Sequence, residues 1–490
     1  SSKGDETSEA TDAAKAPEAS EGTETSEDLT LYPFVEKEYL SDYDDISGKL
    51  LAQTEYCRVG IHDDGEKHTE LKDALLAYNE EKRAAAAEEQ AFLLETARAA
   101  ASETEDFYGY QSSSEVKILR ADERVFSFAK SVYSFTGGAH GNSGVIGVSF
   151  DSKTGEELRL SNVISDKEAL SAYITARLEE EYGAMDMLFE DWKEYVGSAA
   201  DFNFALGPSG MEVYFDPYEI GPYALGEVTI EVPYTEESIG FNEAFLPAKE
   251  QSMWELEAYD ELMLDVDGDN EAEAIGLSFQ AQEDQSQSTY TFYVMDGEET
   301  SSVNGICGYG MDKAYILKKP EGGYVFYGDC KSDNDWHYLT MVDIDTLMAG
   351  DGADPTEYYE AFYDNVPVSA ESFYLETRGS LISTVPERRR HCVAGNGLPE
   401  ALQDDFIIDG LILTAKKDIK CISESGKGEE STIPAGTELR AVSTDESSYI
   451  IAELTASGEA VRIEVNGESW PHTIDGTDIE DCFEGLVFAG

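Results

Sequence analysis

The strongest constraint in this sequence is the shortness of its apolar runs. Residues 116–119, 125–135, 145–150, 211–215, 228–232, 314–317, 323–327 and 338–342 are rich in Val, Ile, Phe and Tyr, and Gly, Asp, Asn or Pro soon interrupts each. Such runs read as β-strands joined by turns, and none approaches the ~18 apolar residues of a membrane-spanning helix. At 490 residues the chain exceeds the ~250–300 at which single cores stop growing, so two to four domains are expected. Hydrophobic residues, at 41%, supply enough material for those cores.

Two stretches depart from the strand pattern. Between His68 and Glu103, Leu71, Leu75 and Tyr78 recur at helical spacing and Ala84 to Ala87 add propensity, which predicts one long helix. Ser165 and Glu168 form a capping-box pair opening a second helix, with Leu170, Ile174 and Leu178 on one face. The turn Asp151-Ser-Lys-Thr-Gly155 is expected to return the chain as a hairpin. Residues 31–248 therefore read as an α+β domain, two helices against an antiparallel sheet. Residues 249–405 read as a β-rich, Tyr-rich region, propeller-like or a sandwich, and 406–490 as a small β-barrel. The first 30 residues hold nine acidic and two basic residues and no aromatic, too little apolar surface to order themselves. This predicts a disordered acidic linker, of the kind that begins a mature bacterial lipoprotein whose lipidated Cys lies just upstream.

Charge narrows the partners. With 102 Asp and Glu against 34 Lys and Arg, the net charge is −68. Nucleic acid is excluded as a partner, because binding it requires clustered cations to neutralise phosphates. Docking onto anionic lipid is excluded for the same reason, leaving a lipid anchor as the one expected link to a membrane. Basic proteins, metal cations and uncharged glycans remain. Arg388-Arg-Arg-His391 is the one basic run and is expected to pair with acidic neighbours.

The cysteines at 57, 307, 330, 392, 421 and 482 have no zinc-type spacing. Their even number permits disulfides, with Cys307 and Cys330, and Cys421 and Cys482, each falling inside one expected domain; free buried thiols fit equally. The sharpest local chemistry is Asp265-Val-Asp267-Gly-Asp269-Asn-Glu-Ala-Glu273. Asp265, Asp267, Asp269 and Glu273 could converge oxygens on one calcium ion, as in the D-x-D-G-D loops that join strands of calcium-binding repeats, while a solvated Asp-rich hairpin explains the same residues. No nucleophile elbow, phosphate loop, dinucleotide fingerprint or zinc-protease motif occurs, so no catalytic residue is assigned.

Three ordered segments carry a resemblance. Tyr133-Ser-Phe135-Thr-Gly137-Gly138-Ala-His140-Gly141-Asn142 is followed by Phe150-Asp-Ser-Lys-Thr-Gly155-Glu-Glu-Leu158 and then by Phe215-Asp-Pro217-Tyr218-Glu-Ile220-Gly-Pro222-Tyr223-Ala-Leu-Gly226. Together they resemble an extracytoplasmic bacterial domain family found in the lysozyme-sensing anti-sigma factor RsiV and beside the catalytic domain of a peptidoglycan deacetylase. The resemblance covers residues 31–248 and implies an α+β receptor-like module outside the membrane, with lysozyme or another basic protein as ligand. His140, Asn142, Tyr218 and Tyr223 are the candidate ligand contacts, although His140 equally reads as a buried histidine shaping its turn. Residues 433–442 look like the strand entry of bacterial SH3-like barrels, which associate with cell walls. The expectation is a non-enzymatic, extracytoplasmic lipoprotein of a Gram-positive-type envelope that binds an extracellular partner; the alternative is a cell-wall enzyme or targeting subunit acting on peptidoglycan.

Overall fold

The computed structural model describes residues 31–62, 68–102, 107–185, 187–281, 287–332, 337–350, 352–362, 369–408, 410–424 and 428–488. The expected acidic linker, residues 1–30, lies outside them. Strands β1 (Pro33–Tyr43), β2 (Leu50–Ile61), β3 (Tyr110–Ala121), β4 (Val125–Phe135) and β5 (Asn142–Asp151) form one sheet in chain order. Helix α1 (Thr69–Ala101) joins β2 to β3. It lies against the sheet through Leu71, Leu75, Leu93 and Ala97, which bear out the helical spacing.

The expected antiparallel sheet needs one correction. Ala52 to Thr54 of β2 pair with Tyr110 to Ser112 of β3 in parallel, because a helical crossover between neighbouring strands returns the chain in the direction it left. That pairing is short, so β2 has unpaired backbone beyond it. The Asn79 amide of α1 fills part of the gap, accepting from Val59 N at 3.0 Å and donating to Val59 O at 2.7 Å. Gln90 does similar work deeper in, joined to Thr54, Asp42 and the Ala52 carbonyl.

After β5 the turn at 151–155 forms as expected, with Gly155 N on Asp151 O at 2.9 Å and Gly155 at φ +69°. The hairpin it starts is short: Asp151 N donates to Glu156 O at 2.9 Å, Leu158 N donates to Ser149 O at 2.7 Å, and Phe150 bridges Glu157 before a short helix α2 (Leu160–Val163) takes over. Helix α3 (Lys167–Tyr182) is capped by Asp166, whose side chain accepts from Ala169 N; Ser165 instead bonds the Gly240 carbonyl. Two adjacent residues could both cap, and the one that lets Leu170, Ile174 and Leu178 point inward wins. These three pack with helix α4 (Trp192–Ser198) on a second, three-stranded sheet of β6 (Asn203–Leu206), β7 (Gly210–Phe215) and β8 (Val228–Pro233). The single sheet expected for this region is thus two. The second seats its first strand on β5, where Asn203 accepts from Gly147 N at 2.9 Å and Ser149 Oγ accepts from Leu206 N at 3.0 Å.

The middle region forms two more sheets. One is β10 (Glu261–Leu264), β11 (Glu273–Ala281), β12 (Ser288–Asp296) and β13 (Glu299–Ile306); the other pairs β17 (Thr356–Tyr358), β16 (His337–Asp343), β15 (Tyr324–Lys331), β14 (Gly310–Lys318) and β9 (Met253–Glu255) in that order. Their facing sides share a core of Ile275, Leu277, Tyr290 and Phe292 against Ala314, Ile316 and Phe326. The alternate residues Tyr315, Leu317, Tyr327 and Leu339 pack the other way, onto Phe362, Phe373 and Leu375. The middle sheet is buried on both faces, which explains its nearly unbroken apolar runs.

Sheet pairing continues across the expected boundary at residue 405. The strand Pro386–Val393 pairs with Phe406–Ile408, which pairs with Glu438–Thr444. The expected small barrel is not closed: strands 412–415, 438–444, 449–454, 460–464, 419–423 and 430–433 curl around one core, but the first and last are unpaired with each other among the described residues. They are an extension of a larger sheet rather than a separate closed unit.

Candidate functional site

Strands β4 and β5 pair from Val125 with Asp151 up to Ser134 with Asn142, leaving residues 135–141 as the tip of a hairpin. Gly137 and Gly138 sit at φ +90° and +101°, a region that side chains disfavour. Gly141 is required for a different reason: a Cβ there would lie 2.4 Å from the Tyr133 ring. The tip therefore folds tightly and lifts His140 into solvent, which removes the buried-histidine reading.

A second loop meets it. Asp216, just after β7, accepts from Val145 N of β5 at 2.8 Å, and only a glycine at 144 leaves room for its carboxylate, since a Cβ would come within 2.7 Å. Glu219 accepts from Asp216 N at 2.8 Å and from the Tyr195 hydroxyl at 2.9 Å, which holds the 216–221 turn in shape. Within that turn Tyr218 adopts φ +75°, a strained conformation for a bulky residue that persists only where its surroundings impose it. The result is a row of rings. His140 stacks on Tyr223 at 3.9 Å and 21°, and Tyr223 lies 5.9 Å from Tyr218, which is 56% exposed.

Three of the four expected contacts, His140, Tyr218 and Tyr223, are thus brought together from segments far apart in sequence. Asn142 is exposed at the start of β5, opposite Ser134. Aromatic faces with polar edges suit a guanidinium or ammonium group, which gains from the ring quadrupoles.

The Asp-rich loop joins β10 to β11. Carboxylate oxygens of Asp265, Asp267 and Asp269 all lie within 4.8 Å of one another. Glu273 stands apart from them: it is 2% exposed, and one of its oxygens accepts from Val266 N at 2.7 Å. Asp265 also braces the loop, accepting from Gly268 N at 2.7 Å and Asn270 N at 3.0 Å. Three hard oxygens at this spacing suit a calcium ion, with Glu273 shaping the loop from below.

Sequence reasoning missed a cleft of about 800 Å³ in the middle region, lined in part by Ile306, Tyr309, His337, Tyr338, Glu357 and Tyr359. His337 Nδ1 sits 2.8 Å from Asp329 Oδ1, and this bond raises the His337 pKa. Burial raises that of Asp329 itself, opposed by His337. The Tyr-rich composition of this stretch was the available signal, but the cleft needs two sheets to form it. The arginine run also differs from expectation. Arg389 reaches Glu360 at 3.4 Å, as expected, but lies over the Phe406 ring at 4.2 Å, and Arg388 lies over Tyr374. Arg390 donates to the Tyr32 hydroxyl, linking the first region to the last sheet. Burial lowers the pKa of His391 to about 4.

Residues 161–235 match the family described as protein of unknown function DUF3298, so the chain carries a DUF3298 domain. That stretch runs from α2 to the end of β8 and includes Tyr218 and Tyr223 but not His140. Two solved structures of DUF3298 family proteins are similar to this chain. One is from Bacteroides fragilis, at 18% identity over 44% of this chain and 96% of that one, with a TM-score of 0.37. The other is from Pseudomonas aeruginosa, at 18% identity over 45% of this chain and 99% of that one, with a TM-score of 0.32. No curated protein matches.

Proposed function

We propose that residues 31–248 are the binding module of a non-enzymatic protein that acts outside the cell membrane and captures a basic protein, with lysozyme the leading candidate. The observation that carries this reading is the solvent-facing row His140, Tyr223 and Tyr218 on a carboxylate-braced loop. A net charge of −68 steers a cationic partner toward such a surface, while rings that exclude water supply specificity. Two of the three segments that resemble the RsiV family, 133–142 and 215–226, meet at this surface, and the resemblance supplies the partner class.

The test compares hen lysozyme binding to the full chain and to the double variant His140→Ala/Tyr223→Ala. Loss of two stacked rings at a contact centre weakens binding by about 10- to 100-fold. Equal affinity of the variant overturns the reading, and release of muropeptides from peptidoglycan by the wild-type chain replaces it with the cell-wall enzyme.

The convergence of Asp265, Asp267 and Asp269 favours a second, independent reading, a calcium site that stiffens the loop between β10 and β11. Calorimetric titration with calcium is expected to give a saturable heat that Asp267→Asn removes. Absence of heat in the wild-type protein sinks it.

A further inference from the structure

All six cysteines are free thiols in the structure, and two of them meet. Cys307 follows the last residue of β13, and Cys330 is the penultimate residue of β15, so they belong to the two facing sheets of the middle region. The backbone brings them together by an unusual crossing. Gly308 bridges Lys331 in parallel, Tyr309 N donates to Lys331 O at 2.9 Å, and a Cβ at position 308 would lie 1.9 Å from that carbonyl. In a parallel bridge the residues just before each partner are themselves neighbours on one face. Cys307 and Cys330 therefore project side by side, both fully buried in the core with Tyr290 and Phe326, and their thiols are in hydrogen-bonding contact. Neighbouring strands at this approach hold Cα atoms within the ~4.4–6.8 Å that a disulfide spans.

Cys307 also donates to the Ser288 carbonyl at 3.5 Å, a backbone bond of the kind that other cysteines make. Cys57 donates to the Ser114 carbonyl and Cys482 to the Thr477 carbonyl. Cys421 shares a core with Cys482 but is hydrogen-bonded to Ser431.

We infer that Cys307 and Cys330 form a disulfide that staples the two sheets of the middle region together. The oxidant is a dithiol-type disulfide, either glutathione disulfide or the oxidised Cys pair of a thiol oxidoreductase. One Cys thiolate attacks that disulfide and releases its first thiol. The second Cys thiolate then attacks the mixed disulfide at the protein sulfur and releases the other thiol. Two protein thiols lose two electrons and two protons, and one disulfide is reduced to two thiols. Complete burial places this exchange during folding, before the sheets close over the pair, and shields the finished bond from reductants afterwards.

The test refolds the full chain in a glutathione redox buffer, quenches and alkylates it under denaturing conditions, and maps its peptides without reduction. The expected result is one linked pair, 307 with 330, and alkylation of the other four thiols. The oxidised protein is expected to melt about 5–10 °C above the same protein refolded with reductant throughout, a gap absent in Cys307→Ser/Cys330→Ser. Alkylation of all six thiols, or linkage of any other pair, overturns the inference. The peptide map decides even if the double variant fails to fold.

Discussion

Glu387 offers a prediction whose size follows from the structure. It lies in the strand Pro386–Val393, 1% exposed, with neither carboxyl oxygen bonded to a donor. It is pressed so closely on Gly379 that a Cβ there would sit 2.0 Å from its Oε1. Its neighbour is another carboxylate, Glu446, which accepts from Ser380 N at 3.0 Å and Leu381 N at 3.1 Å. Burial, then the negative charge of Glu446, push the Glu387 pKa up to about 9. A proton on Glu387 turns two repelling carboxylates into a donor and an acceptor. The unfolded chain has an ordinary glutamate there, near 4.5. Below that pH both states hold the proton and the group costs nothing. Between it and about 9 only the folded state holds it, so stability falls as pH rises, by about 1.4 kcal/mol per pH unit. At pH 7 the accumulated cost is about 3 kcal/mol. Glu387→Gln keeps shape and a donor toward Glu446 but never ionises. It is expected to match the wild type near pH 4.5 and to exceed it increasingly toward pH 8 in thermal and urea unfolding of the full chain. A stability difference that stays constant across this range, or a variant that is less stable at pH 8, refutes the reasoning.

Two further substitutions probe how the first region is built. Gly147→Ala places a Cβ 2.1 Å from the Phe204 carbonyl oxygen, a backbone atom that cannot swing aside. It is expected to lower stability by about 1–3 kcal/mol by prising the second sheet from β5, and an unchanged urea midpoint contradicts this packing. Leu71→Ala empties a fully buried site where α1 meets the first sheet and is expected to cost about 2–5 kcal/mol in the same assay. A loss under 1 kcal/mol would mean that this end of α1 is not anchored.

How much of this was legible in the sequence depends on how local the determinants are. The long helix was readable because Leu71 and Leu75 repeat at helical spacing on one buried face. Strand 125–135 was readable because its apolar run and its flanking turn residues lie within a few positions of each other. The parallel pairing of β2 with β3 was not, since it is fixed by where α1 ends rather than by either strand. The split into two sheets depends on Gly147, whose role appears only once the Phe204 carbonyl lies against it. The open C-terminal sheet has the same origin, because pairing of strand 386–393 with strand 406–408 is decided by partners remote in sequence. For the site, the glycine-rich tip and the two Pro-Tyr pairs identified His140, Tyr218 and Tyr223, but not that Asp216 clamps one loop onto the other. Glu273 was readable as a carboxylate beside three others, but its turn into the core depends on Val266 N. Among 102 acidic residues nothing in the sequence distinguishes Glu387.

The central claim is that the ring row around His140 and Tyr223 is a specific receptor surface rather than part of a diffuse acidic field. Calorimetric titration of the full chain with hen lysozyme at ~50 and ~150 mM salt tests it most directly, because screening at the higher salt removes long-range attraction but leaves a packed interface. The account predicts stoichiometric binding that persists at the higher salt and weakens in His140→Ala/Tyr223→Ala. Binding that disappears with salt, or that the double variant retains in full, contradicts it.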